Sequence, residues 1–137
     1  MGTELLFKDE SFRIMRACFE RYKEPGPGFL EAVYQECLGI EFTERQVPFE
    51  EQIKLNLKYK RHSLKQRYEP DFLCFGETII ESEAMKNLAD EHRAQLLNYL
   101  KATGKKLGIL INFGHHPQLE YERLINIPLS WLSLFFI

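Results

Sequence analysis

One six-residue run, Leu107-Gly108-Ile109-Leu110-Ile111-Asn112, limits most tightly how this chain can fold. It is apolar without alternation, the pattern of a strand covered on both faces. Just before it, Asp90 to Thr103 predicts a helix that Gly104 ends as a C-cap, with lysines on either side of the glycine. Upstream, Phe12, Ile14, Met15, Cys18 and Phe19 recur at near-helical spacing and predict a helix over Ser11 to Tyr22. Glu24-Pro25-Gly26-Pro27-Gly28 breaks the chain. A second helix from about Phe29 to Phe42 follows, burying Leu30, Val33, Tyr34, Cys37, Leu38 and Phe42.

Between these helices and the apolar run lie strand signals. Pro48 and the alternation over Gln52 to Leu57 mark a half-buried strand, and Lys60-Arg61-His62-Ser63 reads as a turn. Asp71 to Phe75 and Ile79 to Glu83 form a hairpin around Gly76, and Leu119 to Ile127 reads as a last strand. The order is α-α-β-β-β-β-α-β-β. That predicts an α/β (α+β) sandwich, a mixed central sheet flanked by helices.

At 137 residues, 45% of them hydrophobic and 28% charged, the chain suits one domain over 1–137 with a core of its own. The cysteines, Cys18, Cys37 and Cys74, are odd in number and form no ligand cluster, so reduced buried thiols in a cytoplasmic protein are expected. MGTELLFKDESFR lacks the pattern of a signal peptide, and PLSWLSLFFI is too short to span a bilayer, which needs about 20 apolar residues. No membrane association is expected; the apolar C-terminus suits a core edge or a homodimer contact.

Net charge is −2, which gives no overall pull toward nucleic acid. Lys54 to Arg67 nevertheless carries Lys54, Lys58, Lys60, Arg61, Lys65 and Arg67 with no acid among them. Such a strip suits a phosphate backbone and equally suits a solvated hairpin whose lysines guard a sheet edge.

The acids cluster elsewhere. On a strand, Glu81 and Glu83 share a face, with Ile80 and Ser82 opposite. A three-residue loop, Gly76-Glu77-Thr78, pairs Asp71 with Glu83 and sets Glu81 diagonally beside it; a two-residue loop at Gly76-Glu77 separates the acids. Glycine at the head of the loop favours the first. Carboxylates gathered in this way repel unless a cation such as Mg²⁺ lies among them.

Four segments together resemble a known family. Gly28-Phe29-Leu30-Glu31-Ala32-Val33-Tyr34 matches the signature of the GxxExxY proteins, and Tyr68-Glu69-Pro70-Asp71-Phe72 resembles their aspartate-bearing strand. Ile79-Ile80-Glu81-Ser82-Glu83-Ala84 falls where the family reads V-E-L-K-A. His92 to Lys101 and Gly108 to Gly114 resemble its HEAQLLNYL helix and GLLINFG strand. That family is grouped with the PD-(D/E)XK nucleases and their restriction-endonuclease-like core. The resemblance implies a divalent-metal-dependent nuclease acting on DNA or RNA, with Mg²⁺ or Mn²⁺ held by Asp71, Glu81 and Glu31. It also implies that Gln95 and Tyr99 form the QxxxY element of RecB-like members; at i and i+4 they share a helix face.

The sequence departs from the family at one place. Glu83 stands where the pattern has a lysine, and an anion cannot polarise a water or offset phosphate charge. Lys86, three residues on, is the candidate substitute, so the catalytic set is Asp71, Glu81, Glu83, Lys86, Gln95 and Tyr99. Lys58, Lys60, Arg61 and Lys65 are the expected nucleic-acid contacts. The alternative is a degenerate nuclease-fold module that binds nucleic acid or protein without cutting. His92 reads as a packing residue.

Overall fold

The computed structural model describes residues 7–24, 26 and 28–126. The apolar C-terminal segment for which a dimer contact is expected lies outside them. Helices α1 (Lys8–Lys23) and α2 (Glu31–Glu44) are followed by strands β1 (Phe49–Glu50), β2 (Leu55–Tyr59), β3 (His62–Tyr68), β4 (Phe72–Cys74) and β5 (Thr78–Glu83). Helix α3 (Asp90–Thr103) then leads to β6 (Leu107–Asn112) and β7 (Glu120–Ile125). Five strands therefore precede α3 rather than the expected four, because Phe49–Glu50 adds a two-residue pairing with β4. No described helix is long and apolar enough to cross a membrane.

The central sheet runs β1-β4-β5-β6-β7, and β2 and β3 form a separate two-stranded ribbon. Only β5 and β6 are parallel, and α3 connects them. All six residues of β6 are buried, as the apolar run predicts. Ile109 and Ile111 join Phe72, Cys74 and Ile80 under α1 and α2, where Ile14, Cys18, Tyr34, Leu38 and Phe42 close one core. Leu110, Leu73 and Ile79 face the other way against Leu96 and Leu100 of α3 and against Leu57 and Tyr68 of the ribbon. Each large apolar side chain so buried contributes about 1.5–3 kcal/mol. Cys18 and Cys74 are buried, Cys37 is half-buried, and all three are free thiols.

The β4–β5 register differs from the expected one. Phe72 pairs with Ile80 and Cys74 with Thr78, so Phe75-Gly76-Glu77 is the loop. Phe75 and Gly76 take φ of 56° and 69°, and the Glu77 N–H closes the turn on the Cys74 carbonyl at 3.1 Å. A phenylalanine is an unusual occupant of this left-handed place. Its N–H is held by the Pro48 carbonyl at 2.9 Å, and the Arg13 guanidinium lies over its ring. Gly76 thus sits at the centre of the turn, not at its start. Carried one residue on, the pairing sets Asp71 across from Glu81, and Glu83 becomes its diagonal neighbour.

Candidate active site

Strand β4 begins at Phe72, and ahead of it two side chains extend its ladder. The Asp71 N–H donates to Glu81 Oε1 at 2.8 Å, and the Ser82 N–H donates to Asp71 Oδ2 at 2.8 Å. The Ser82 hydroxyl adds a second bond to the same oxygen at 3.2 Å. Asp71 and Glu81 are therefore locked together by main-chain amides, which leaves one oxygen of each carboxyl for another partner. Ile79, on the same face of β5 as Glu81 and Glu83, belongs to the core under α3, so the acids open toward that helix.

The carboxyls of the set shift one another's titration. Burial pushes the Glu81 carboxyl up to about 8, and the neighbouring Asp71 and Glu83 charges add to it. Burial likewise raises Asp71, against the Ser82 hydrogen bonds that favour its anion. Glu83 is raised by burial and then by Asp71, and His92 acts in the opposite direction. Glu31, the first residue of α2, is more open to solvent. It too is raised by burial, then by Glu83 and Asp71, and lowered by His92. Four carboxyls thus feel one another, and the imidazole on the first turn of α3 is a basic group felt by two of them.

The signature around Glu31 has a physical basis. Gly28 takes φ of 97°, which a side chain rarely adopts. The Tyr34 hydroxyl donates to the Gly26 carbonyl at 3.0 Å and accepts from the Phe29 N–H at 3.1 Å, tying down the loop that starts α2. The buried Arg21 guanidinium lies 4.0 Å from the Tyr34 ring centroid and 4.2 Å from that of Phe113. Phe113 in turn donates its N–H to the Glu83 carbonyl at 2.9 Å. One cation–aromatic column therefore joins the helix end that bears Glu31 to the strand end that bears Glu83. Tyr34→Phe leaves the Phe29 N–H without its acceptor. We expect a loss of about 1–2 kcal/mol in urea denaturation and a weaker stabilisation by divalent ions; unchanged values for both would separate Tyr34 from the site.

The residues after Glu83 are fastened by Asn112, which is fully buried. Its Oδ1 accepts from Met85 N–H at 2.9 Å and Gly114 N–H at 3.1 Å, while its Nδ2 donates to Glu120 at 2.9 Å. Glu120 also takes the Leu88 N–H at 2.9 Å. Lys86 rides on this fixed loop with its side chain exposed and its carbonyl 2.9 Å from His115 Nδ1.

On α3 the expected pair divides. Gln95 is exposed, and Tyr99 stacks on Tyr68 with ring centroids 3.8 Å apart and planes 6° from parallel. Tyr68 was not singled out from the sequence. Its hydroxyl is buried, and burial, then the charge of the adjacent Glu81 carboxyl and a hydrogen bond to it, push it far up. His92 is more than packing: its Nδ1 accepts the Ala89 N–H at 3.0 Å, so in the neutral ring the hydrogen is on Nε2. A signal for both lay in their offsets, Tyr68 three residues before Asp71 and His92 three before Gln95.

The donor set is chemically suited to a hard divalent ion. It consists of carboxylate oxygens that raise one another, with the Tyr68 phenol set against Glu81. Among the described residues, no three acidic, imidazole or thiol groups already stand in a coordination shell. Asp71 and Glu81 would hold the ion, with Glu31 and Glu83 at the margin.

A family model described as the PD-(D/E)XK nuclease superfamily matches residues 8–124. The chain belongs to the PD-(D/E)XK nuclease superfamily. The five-stranded mixed sheet between helices is consistent with the restriction-endonuclease-like core of this superfamily. No curated protein matches the chain. Among solved structures, it is similar to one titled "Crystal structure of SSO0001", with 16% identity and a TM-score of 0.49, covering 93% of this chain and 64% of the other.

Proposed function

We propose that the protein is a divalent-metal-dependent phosphodiester hydrolase of the GxxExxY group within this superfamily, working on DNA or RNA with Mg²⁺ or Mn²⁺. The observation that carries the reading is the Asp71–Glu81 pair, held by hydrogen bonds from main-chain N–H groups yet with a Glu81 carboxyl raised to about 8. A bound ion would polarise the phosphoryl oxygen and generate hydroxide at neutral pH. Asp71 and Glu81 would hold that ion, and Glu31 would add an open carboxylate. Ser82 and Tyr68 keep Asp71 and Glu81 in place. His92 presents an N–H donor near Glu31 and Glu83, and Gln95 and Tyr99 border the cleft. Lys58, Lys60, Arg61 and Lys65, all exposed, supply phosphate contacts.

Glu83 favours a second reading, a nuclease fold that binds without cutting, because an anion occupies the place of the lysine. Two substitutions decide between them. If Glu83 silences the site, Glu83→Lys raises Mn²⁺-dependent cleavage by about 10²–10³. If Lys86 already fills the role, wild type cleaves, Lys86→Ala abolishes cleavage and Glu83→Lys adds little. Absence of cleavage from all three proteins on single- and double-stranded DNA and RNA, with no divalent-dependent rise in melting temperature, leaves the binding module.

A further inference from the structure

The β2–β3 ribbon has a feature that the core does not require. Residues 58–67 are exposed throughout, and the ribbon meets the core only at its base, through Leu55, Leu57 and Tyr68. Its tip is a two-residue turn, Lys60-Arg61, between the paired Tyr59 and His62. Both turn residues take positive φ, 51° and 83°, without a glycine. Two basic side chains are thus held at the end of a bare ribbon in a conformation that a side chain opposes.

The register sorts the other cations. Arg67 pairs with Asn56 and Ser63 with Lys58, and Asn56 and Lys58 share a face of β2, so Arg67 and Lys58 lie on one face; the register shifts between these two pairs, and Lys65 falls in that irregular stretch. The opposite face carries Tyr68 and Leu55 at the base, then Leu64, His62 and Tyr59. Alternate residues on a strand stand about 6.6 Å apart. Arg67, Lys65 in the irregular stretch, Lys58 beside Ser63, and Arg61 in the turn therefore follow one another in a row along the ribbon, at separations of the order of those between successive phosphates on an extended strand. The row starts next to Tyr68, beside Glu81, and reaches about 23 Å from it at Arg61. Lys58 also borders a groove of about 430 Å³ whose other wall includes Lys101 and Lys105 at the end of α3. The far side of the molecule repels the same ligand, since Glu36, Glu44 and Glu51 line the groove between α2 and β1.

We propose that the Arg67–Lys65–Lys58–Arg61 row is a ladder for about four successive phosphates of one nucleic-acid strand, leading away from the carboxylates. This deepens the nuclease reading, and Arg67 joins the contacts while Lys60 lies beside the row. The strand is either single or one strand of a duplex, since the shared chemistry is the phosphate backbone.

The test measures oligonucleotide binding, without divalent ions, against salt concentration. The triple variant Lys58→Gln/Lys65→Gln/Arg67→Gln is compared with a control that removes the same charge from α1, Lys8→Gln/Arg16→Gln/Lys23→Gln. Thermal melting shows that each remains folded. We expect the ladder variant to lower the slope of log K against log salt by about 2–3, at roughly 0.7 per single-strand and 0.9 per duplex phosphate contact, and the control to leave it unchanged. Single-stranded and duplex DNA and RNA, run side by side, identify the form that supplies the strand. Equal slopes for both variants, or a ladder variant indistinguishable from wild type, overturn the proposal. A lowered slope in a protein that cleaves nothing with Mn²⁺ upholds the ladder while the hydrolase reading fails.

Discussion

Glu81→Gln makes the metal-free protein more stable at pH 8 than wild type and abolishes its response to divalent ions. The folded-state pKa of Glu81 is raised to about 8 from 4.5, chiefly by burial and then by Asp71. Folding therefore favours the protonated acid. That contribution is complete below pH ~4.5 and is lost as pH rises through about 8. At about 1.4 kcal/mol per pKa unit, the wild-type loss is on the order of several kcal/mol, or about 10 °C in melting temperature. A glutamine keeps an oxygen for the Asp71 N–H and carries no charge, so its melting temperature changes little over the same range. Melting curves from pH 5 to 9, with and without Mn²⁺, read both effects. Wild type falls with pH and is restored by the ion; the variant does neither. Cleavage, where wild type shows it, drops by about 10³ or more. A variant that tracks wild type across the whole range would mean that the carboxyl is not held in the folded state as described.

Gly114→Ala has the second large effect. A Cβ there would stand 2.5 Å from both the Met85 nitrogen and the Met85 carbonyl oxygen, and 2.7 Å from the Ala84 carbonyl carbon. These are main-chain atoms in a loop held by Asn112 and Glu120, so no side chain can swing aside. Overpacking of this kind costs about 1–3 kcal/mol, more where the backbone is fixed. The loop also follows Glu83 directly and carries Lys86. Loss of divalent binding should therefore exceed what the lowered stability alone explains. Urea denaturation of the variant beside Gly108→Ala, whose Cβ meets only the flexible Leu96 side chain at 3.1 Å, isolates the backbone clash. Equal behaviour of the two would contradict it.

Much of the fold was legible because it rests on patterns of burial. The apolar run of β6 is covered on both faces, α3 spans the expected Asp90 to Thr103, and Gly104 caps it with φ of 80°. The register of the acids was not legible, because it depends on Phe75 entering a left-handed turn. A bond to Pro48 and the Arg13 guanidinium hold it there, and both lie far away in sequence. Strand β1 is two residues long and has no periodicity to read. The role of Asp71 as a plug for the Ser82 amide arises because β4 begins only at Phe72. His92 looked inert because the Glu31 and Glu83 carboxyls that feel its charge lie on two other segments of the chain. Tyr34 read as a core aromatic and is one, yet its hydroxyl carries the loop of the signature.

The bare ribbon has a bearing on how such a protein can diversify. Its outer ten residues share no packing with either core, so lengthening, shortening or recharging them leaves the sheet and the carboxylates as they are. Lengthening a loop closed at its base adds little entropy, about 0.6 kcal/mol per doubling. Its root, by contrast, is the Tyr68 ring stacked on Tyr99 and set against Glu81. Variation can therefore accumulate at the tip, while the carboxylates beside its root stay under separate selection.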